Sequence, residues 1–353
     1  MFSVILSFVL TGSISASKNS LACYFQYRYS LPQDERDYFS LRRLALFGKN
    51  QFAKWGTLSY RFIFKSGNRS STDEQIYLQE AAVDLHFSRW LRVKIGQFKP
   101  PFGWERFIPD YRVISVERSQ VIDRLIPAGS IGASFARDYG IQVFNNAAKS
   151  PLSYELAVMT GSGANTTLTT KNAPLLVGRI SFKKAFKILS LKKPWHWLMQ
   201  VAYSYRHDND IDLVKQLPGA NEELSRHFKG SDSRFNAVLK LEIGSADFTA
   251  EYIRASFKFR GNSAPSVLAY GWYTQLSYLL GKNIEAFLKY ETFDPDKSRP
   301  ATVDIDRLTL GLNYYFNRKR SCLMLNYILK LEKMNGIKND MVVFQLQHFL
   351  FDI

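Results

Sequence analysis

From Tyr24 to the C-terminus, apolar and polar residues alternate with period two, as in strands whose two faces meet different surroundings. In RLTLGLNYYF, Leu308, Leu310, Leu312, Tyr314 and Phe316 share one face, and Arg307, Thr309, Gly311, Asn313 and Tyr315 share the other. CLMLNYILKLE sets Leu323, Leu325, Tyr327, Leu329 and Leu331 against Met324, Asn326, Ile328, Lys330 and Glu332. GWYTQLSYLL places Trp272, Leu276, Tyr278 and Leu280 opposite Gly271, Gln275 and Ser277. Such segments run to roughly 9–13 residues, longer than the five or six usual in soluble strands. They match the roughly 9–11 residues that a tilted strand needs to cross a bilayer.

The pattern predicts about sixteen strands, near 23–31, 38–47, 55–66, 76–87, 90–98, 137–145, 152–161, 175–185, 195–207, 234–243, 247–258, 267–279, 283–292, 303–316, 321–332 and 341–351. Their connections alternate longer and shorter for most of the chain, with SRW, GSA, LGKN and NRKR as tight turns. Short periplasmic turns and long external loops on an even number of antiparallel strands describe an outer-membrane barrel. KKAFKILSLKKPWHW departs from the rule, being long and basic where a short turn is expected. A propeller would show a blade repeat of about 40–50 residues, and there is none. A β-sandwich shares the alternation, but strand length and loop asymmetry favour the barrel. The fold class read from the chain is therefore all-β, a transmembrane antiparallel barrel.

Composition sharpens this picture. The chain has 353 residues, 15% of them aromatic, yet its mean hydropathy is only −0.19. Dispersed alternation gives that combination, and no run approaches the roughly 18 apolar residues of a membrane helix. The one helix-like apolar block, MFSVILSFVL, precedes TGSISAS and reads as a secretory signal, although it lacks a basic first segment. Residues 1–22 are assigned to it, with its end between Ala16 and Ala22, and 23–353 to the barrel domain. Cys23 and Cys322 are the only cysteines, which excludes a disulfide framework or a cysteine zinc site. Both fall at periplasmic strand ends with one strand between them, too far apart to bridge, so two free thiols are expected. SLAC ahead of Tyr24 only faintly matches a lipidation site.

A net charge of +16 makes a polyanion a reasonable partner. The basic residues are spread over nearly every strand and loop, which speaks against nucleic acid. Parity places Arg28, Arg61, Lys65, Arg92, Lys94, Arg179, Arg206, Lys240, Lys289, Arg307 and Lys330 in the lumen. It also places Glu80, Asp84, Glu155, Glu242, Glu251, Glu285, Glu291 and Glu332 there, giving a mixed lining with a positive tilt. The third external connection, 99–136, is the longest and opens at Pro100-Pro101. It carries Lys99, Arg106, Arg112, Arg118 and Arg124, with Arg137 where the next strand begins, and Glu105, Asp110, Glu117 and Asp123. Three arginines directly follow acids, as Glu105-Arg106, Glu117-Arg118 and Asp123-Arg124. Two readings stand: the pairs pin the loop to the wall, or guanidinium groups meet a permeating anion. Arg179, with Val177 and Ser181 on its face, is a wall candidate for the same basic path.

FSLRRLALFGKNQF, LRVKIGQFKPPFG, FARDYGIQVF, YELAVMTGSGAN, LLVGRISF, TAEYI, FLKYE and LTLGLNYYF resemble, in order and spacing, segments of the phosphate-selective porin O and P family. The resemblance covers most of the chain from about residue 22. It implies a sixteen-stranded, trimeric barrel in the Gram-negative outer membrane, its aqueous pore narrowed by an inward-folded third loop. The chain departs from the family in ending Phe351-Asp352-Ile353 where a terminal aromatic is common, and in Lys289 where many members carry arginine.

The expected function is an anion-preferring diffusion channel, for phosphate or polyphosphate as the family name implies, or for small anions in general. Its expected pathway residues are Arg92, Lys94, Lys99, Arg106, Arg112, Arg118, Arg124, Arg137, Arg179, Lys289 and Arg307. A structural or adhesion barrel, a transporter of hydrophobic substrates and a barrel enzyme are the alternatives. His86, His196, His207, His227 and His348 are scattered, there is no Gly-x-Ser-x-Gly elbow, and no metal-binding spacing appears. No cofactor is expected; the expected partners are small anions, outer-membrane lipid and further copies of the chain.

Overall fold

A computed structural model describes residues 19–66, 76–127, 136–146, 150–165, 173–186, 195–211, 228–260, 266–297, 305–316, 320–332 and 339–353. The signal segment up to residue 18, the basic stretch 187–194 and the side chains of Lys65 and Glu332 lie outside the described parts. The sixteen strands are β1 Ser20–Pro32, β2 Tyr38–Ala53, β3 Gly56–Ser66, β4 Tyr77–His86, β5 Arg92–Phe98, β6 Asp138–Phe144, β7 Leu152–Met159 and β8 Leu175–Phe186, followed by β9 Trp195–Ile211, β10 Phe228–Ile243, β11 Ala246–Phe259, β12 Val267–Leu280, β13 Ile284–Asp294, β14 Ile305–Tyr315, β15 Ser321–Glu332 and β16 Met341–Asp352. Each pairs antiparallel with its sequence neighbours, and β1 closes on β16. Closure leaves no unpaired edge, which is what allows strands to span a bilayer.

The alternation resolves into an inside-out arrangement. Leu156, Val158, Leu176, Ile180, Met199, Val201, Leu310, Leu312, Leu323, Leu325, Phe344 and Leu346 are exposed on the outer wall. Arg28, Arg206, Arg234, Asn236, Asn313 and Asn326 are buried within. An exposed apolar band around a polar interior is stable only where lipid meets the band. Exposed Trp55, Phe87, Trp90 and Phe316 sit at the short turns, where an aromatic girdle belongs.

Several boundaries differ from the sequence reading, among them the ends of β2 at Ala53, expected at 47, and of β9 at Ile211, expected at 207. The first strand starts at Ser20, three residues ahead of the expected domain start at 23. There β16 runs on to Asp352, and Leu21 and Ile353 exchange backbone hydrogen bonds of 2.7 and 2.9 Å. The tenth strand starts at Phe228, six residues before the expected 234, because KGSDSR pairs with β9 yet shows no apolar alternation. Cys23 stands opposite Phe351 and Cys322 opposite Gln347, so β16 separates them, and both thiols are free.

The strand β5 ends at Phe98, just before Pro100-Pro101 withdraw their ladder donors. Within it, Gly96 has φ +129°, and a Cβ there would lie 2.2 Å from the Ala81 carbonyl oxygen, so only glycine fits. The chain then turns inward through single 3-10 turns at Glu105–Phe107 and Asp110–Arg112 and a short helix, α1 (Gln120–Leu125). Inward-facing wall side chains catch its backbone. Glu251 accepts the Trp104 and Glu105 N–H groups at 2.7 and 3.0 Å, and Asn326 accepts that of Val116 at 3.0 Å. Asn313 donates to the Ile114 carbonyl at 2.9 Å, and Gln347 to that of Tyr111 at 3.0 Å. Partners from β11, β14, β15 and β16 place the segment across the barrel interior. Val121, Ile122 and Leu125 of α1 are buried with Phe102, Ile253, Tyr273 and Phe293, so this end of the loop has an apolar seat on the wall.

Candidate permeation pathway

The inward segment is fastened by charge as well as by backbone contacts. Glu117 meets both Arg28 and Arg42, the latter at 3.1 Å. Asp110 meets Arg61 at 2.9 Å and Arg118 at 2.8 Å. Glu105 receives the Lys289 ammonium at 3.2 Å together with the Ser119 N–H and hydroxyl at 2.8 and 2.7 Å. The acids of Glu105-Arg106 and Glu117-Arg118 thus reach bases on the wall, Lys289 of β13 for Glu105 and Arg28 and Arg42 of β1 and β2 for Glu117.

These environments set the loop's ionisation. Burial alone would raise Glu117, but Arg28 and Arg42 outweigh it and hold the carboxyl below its usual range. Burial opposes the charge of Asp110 too, and Arg43, Arg118 and Arg61 keep it well below the ordinary carboxylate value. Asp123 goes the other way, raised by burial and by Glu117. Burial, then Arg137 and Arg118, push Arg106 well down.

The expected pathway residues divide into three groups. Most are engaged. Arg118 donates to the Glu105 and Ile108 carbonyls besides Asp110, tying the loop to itself. Arg137 holds Glu80 at 2.8 Å. Arg179 pairs with Glu155, donates to the Gly103 carbonyl at 3.2 Å and lies 4.0 Å over the Phe107 ring. Lys289 and Arg307 share Glu291 at 3.7 Å each, and Arg92 and Lys94 share Asp84 at 3.9 and 3.6 Å. Lys99 donates to the Arg106 carbonyl at 3.1 Å.

Arg106 forms the second group. It is buried, and its Nε and Nη2 have no hydrogen-bond partner among the described residues. It borders a cleft of about 20 Å³ together with Arg42, Arg43 and Arg118, and with Asp110, Glu117 and Asp123. That is room for one water-sized occupant. Arg112 and Arg124 are the exposed pair. Arg124 ends α1, away from the cleft, whereas Arg112 looks into the main lumen cavity.

That cavity, about 950 Å³, lies on the periplasmic side of the inward segment. Tyr24, Phe47 and Phe349 hold Tyr111 with ring centroids 5.1–5.5 Å apart, and Arg112 projects beside that ring, 5.7 Å from its centroid. Most charges around the cavity are matched. Arg61 is paired with Asp110, Lys240 with Asp247, Arg320 with Asp352, and Glu80 with Arg137. Among the described residues, Arg112, Lys49 and Lys99 line it with no carboxylate ion pair, Lys99 being held by the Arg106 carbonyl.

Several inward residues escaped the parity reading. Opposite β1, Gln26 faces Arg43 and Tyr27 faces Leu41, so Arg42 is an extra residue. This bulge turns both arginines inward, where strict alternation allows only one. Arg234 and Asp232 lie in the polar extension of β10, ahead of its apolar alternation. Asp232 bonds Arg206 and Arg234 at 2.8 Å each, and Arg234 donates to the Ile126 carbonyl at 3.0 Å, holding the far end of the loop.

The family model for phosphate-selective porin O and P matches residues 24–348. Comparison with curated proteins finds no match. Among solved structures the chain is similar to an anion-selective porin from Comamonas acidovorans, with 12% identity, TM-score 0.64, and coverage of 95% of this chain and 100% of that one. It is similar to Salmonella typhi OmpF in complex with daunomycin, with 12% identity, TM-score 0.66, and coverage of 95% and 98%. It is also similar to the trimer form of OmpT, an outer membrane protein of Vibrio cholerae, with 10% identity, TM-score 0.61, and coverage of 95% and 100%. At these identities the likeness is one of fold. The chain belongs to the phosphate-selective porin O and P family and is a porin, an integral multi-pass β-barrel of the bacterial outer membrane.

Proposed function

We propose that this porin is an anion-preferring, water-filled diffusion channel without enzymatic activity, that it works as a trimer, and that residues 99–127 form its constriction. The observation that carries the preference is the pairing around the lumen cavity. Acids there are largely matched by bases, while Arg112, Lys49 and Lys99 have no carboxylate ion pair among the described residues. A low-dielectric wall focuses the field of such unmatched cations, so a small excess is enough to favour anions. Phosphate is the solute the family's description suggests. The trimer form of the similar Vibrio protein supports the assembly.

A planar bilayer holding the purified porin tests this directly. In a KCl gradient the reversal potential shifts towards that of chloride, and Arg112→Gln reduces the shift. Cation selectivity, or a shift unchanged in the variant, sinks the assignment. Millimolar phosphate separates the two anion readings: block of the chloride current supports a phosphate site, and unimpeded current a general anion pore. Light scattering of the porin in detergent gives the subunit number.

A further inference from the structure

The lumen has a side cavity of about 610 Å³ at the periplasmic end of β8, β9 and β10, which shares Lys240 with the lining of the main cavity. The register sets Lys183, Leu198 and Lys240 in one cross-strand row and Ala185, His196 and Glu242 in the next. Both rows face inward, on the side of the buried Ser181 and Gln200. The inward segment contributes Trp104 to the lining. Lys240 is already held by Glu242 at 2.6 Å and by Asp247. Lys183 is exposed; its backbone N–H donates to the Pro151 carbonyl at 2.8 Å, and its ammonium has no hydrogen-bond or ion-pair partner among the described residues.

We infer that this recess is a lateral subsite for small aromatic carboxylates, with the carboxylate on Lys183 and the ring against Trp104 and Leu198. The inference rests on the lumen being a solute path. The size falls in the range of small-molecule sites, about 300–1,000 Å³. Its chemistry is divided, with indole and aliphatic surface beside the Lys183 ammonium, while the Lys184 ammonium lies 5.0 Å from the Phe186 ring centroid. Inorganic phosphate would lose hydration against Leu198 and Ala185 with little in return. A cationic solute would find Glu242 occupied by Lys240. An amphipathic monoanion satisfies both halves.

Calorimetry on the full-length porin in detergent, with 2-naphthoate as probe, reads the site without any current. The expected result is saturable binding, at least about tenfold tighter than that of uncharged 2-naphthol or inorganic phosphate. Lys183→Gln weakens it about tenfold and Lys183→Arg retains it, as loss and retention of one charge contact require. The Lys183→Gln barrel also serves as the control for partitioning into micelles. In bilayers, 2-naphthoate lowers the open-channel current of the wild type, and Lys183→Gln relieves the block while keeping the KCl conductance. Naphthoate affinity unchanged by Lys183→Gln, or matched by phosphate or naphthol, overturns the subsite. A barrel that binds naphthoate but carries no KCl current instead counts against the channel.

Discussion

Glu117→Gln isolates the charge that fastens the inward segment to the first two strands. The Arg28 side chain is wholly buried and that of Arg42 is 10% exposed, while Glu117 keeps 28% of its surface open. Glutamine preserves the shape but leaves two enclosed guanidinium groups without a carboxylate. Breaking a buried pair costs about 3–5 kcal/mol. Arg28 retains Gln345 Oε1 at 2.8 and 3.1 Å and the Val116 carbonyl at 2.7 Å. Those bonds and the partial exposure of Glu117 bring the expected loss to about 2–3 kcal/mol. Equilibrium urea unfolding in lipid vesicles at neutral pH measures it. A cycle with Arg28→Gln should return a coupling of at least about 1 kcal/mol. A loss below about 0.5 kcal/mol, or strict additivity, refutes the assignment of Glu117 as an anchor. The pH dependence has a definite sign. Because Arg28 and Arg42 depress the folded Glu117, its contribution is present above the unfolded value near about 4.3 and is lost as pH falls through the lower folded value. The gap between wild type and Glu117→Gln therefore holds from pH 7 to about 5 and closes only below about 4.

Asp232→Asn should cost a similar amount by the same assay, about 3–5 kcal/mol, since Arg206 and Arg234 are fully buried around it; a neutral effect would deny Asp232 its anchoring role. Gly96→Ala forces a side chain into left-handed backbone against the Ala81 carbonyl, so the refolded yield should drop sharply, and wild-type yield would contradict the β4–β5 register. Thiol titration of the denatured, unreduced chain should find both Cys23 and Cys322 free, whereas an internal bridge would contradict the order β1–β16–β15.

The strands were legible because one simple force writes them. Every wall residue faces either lipid or the lumen, so period two runs the length of each crossing, and all sixteen strands fall where the alternation put them. The same rule carried the lumen charges, from Arg28 on β1 to Arg307 on β14. It failed where the backbone breaks its own period. The bulge that turns Arg42 and Arg43 inward together leaves no mark in an alternation of polar and apolar types. Arg234 was hidden for a different reason: above the lipid the outer face of a strand no longer needs to be apolar, and the pattern ends before the strand does.

The loop arginines were harder in kind, because one side chain serves both roles that were weighed for it. A guanidinium that pins a loop and one that meets an anion are the same letter in the sequence; only the position of the carboxylates separates them. In the fold Glu80, Asp110 and Glu155 claim Arg137, Arg118 and Arg179, which become fasteners. Arg112 escapes because the neighbouring tyrosine, locked among Tyr24, Phe47 and Phe349, fixes the turn from which it projects. Anchoring thus bears on the proposed conduction: the paired arginines fasten the segment across the lumen, and Arg112 projects from it into the main cavity.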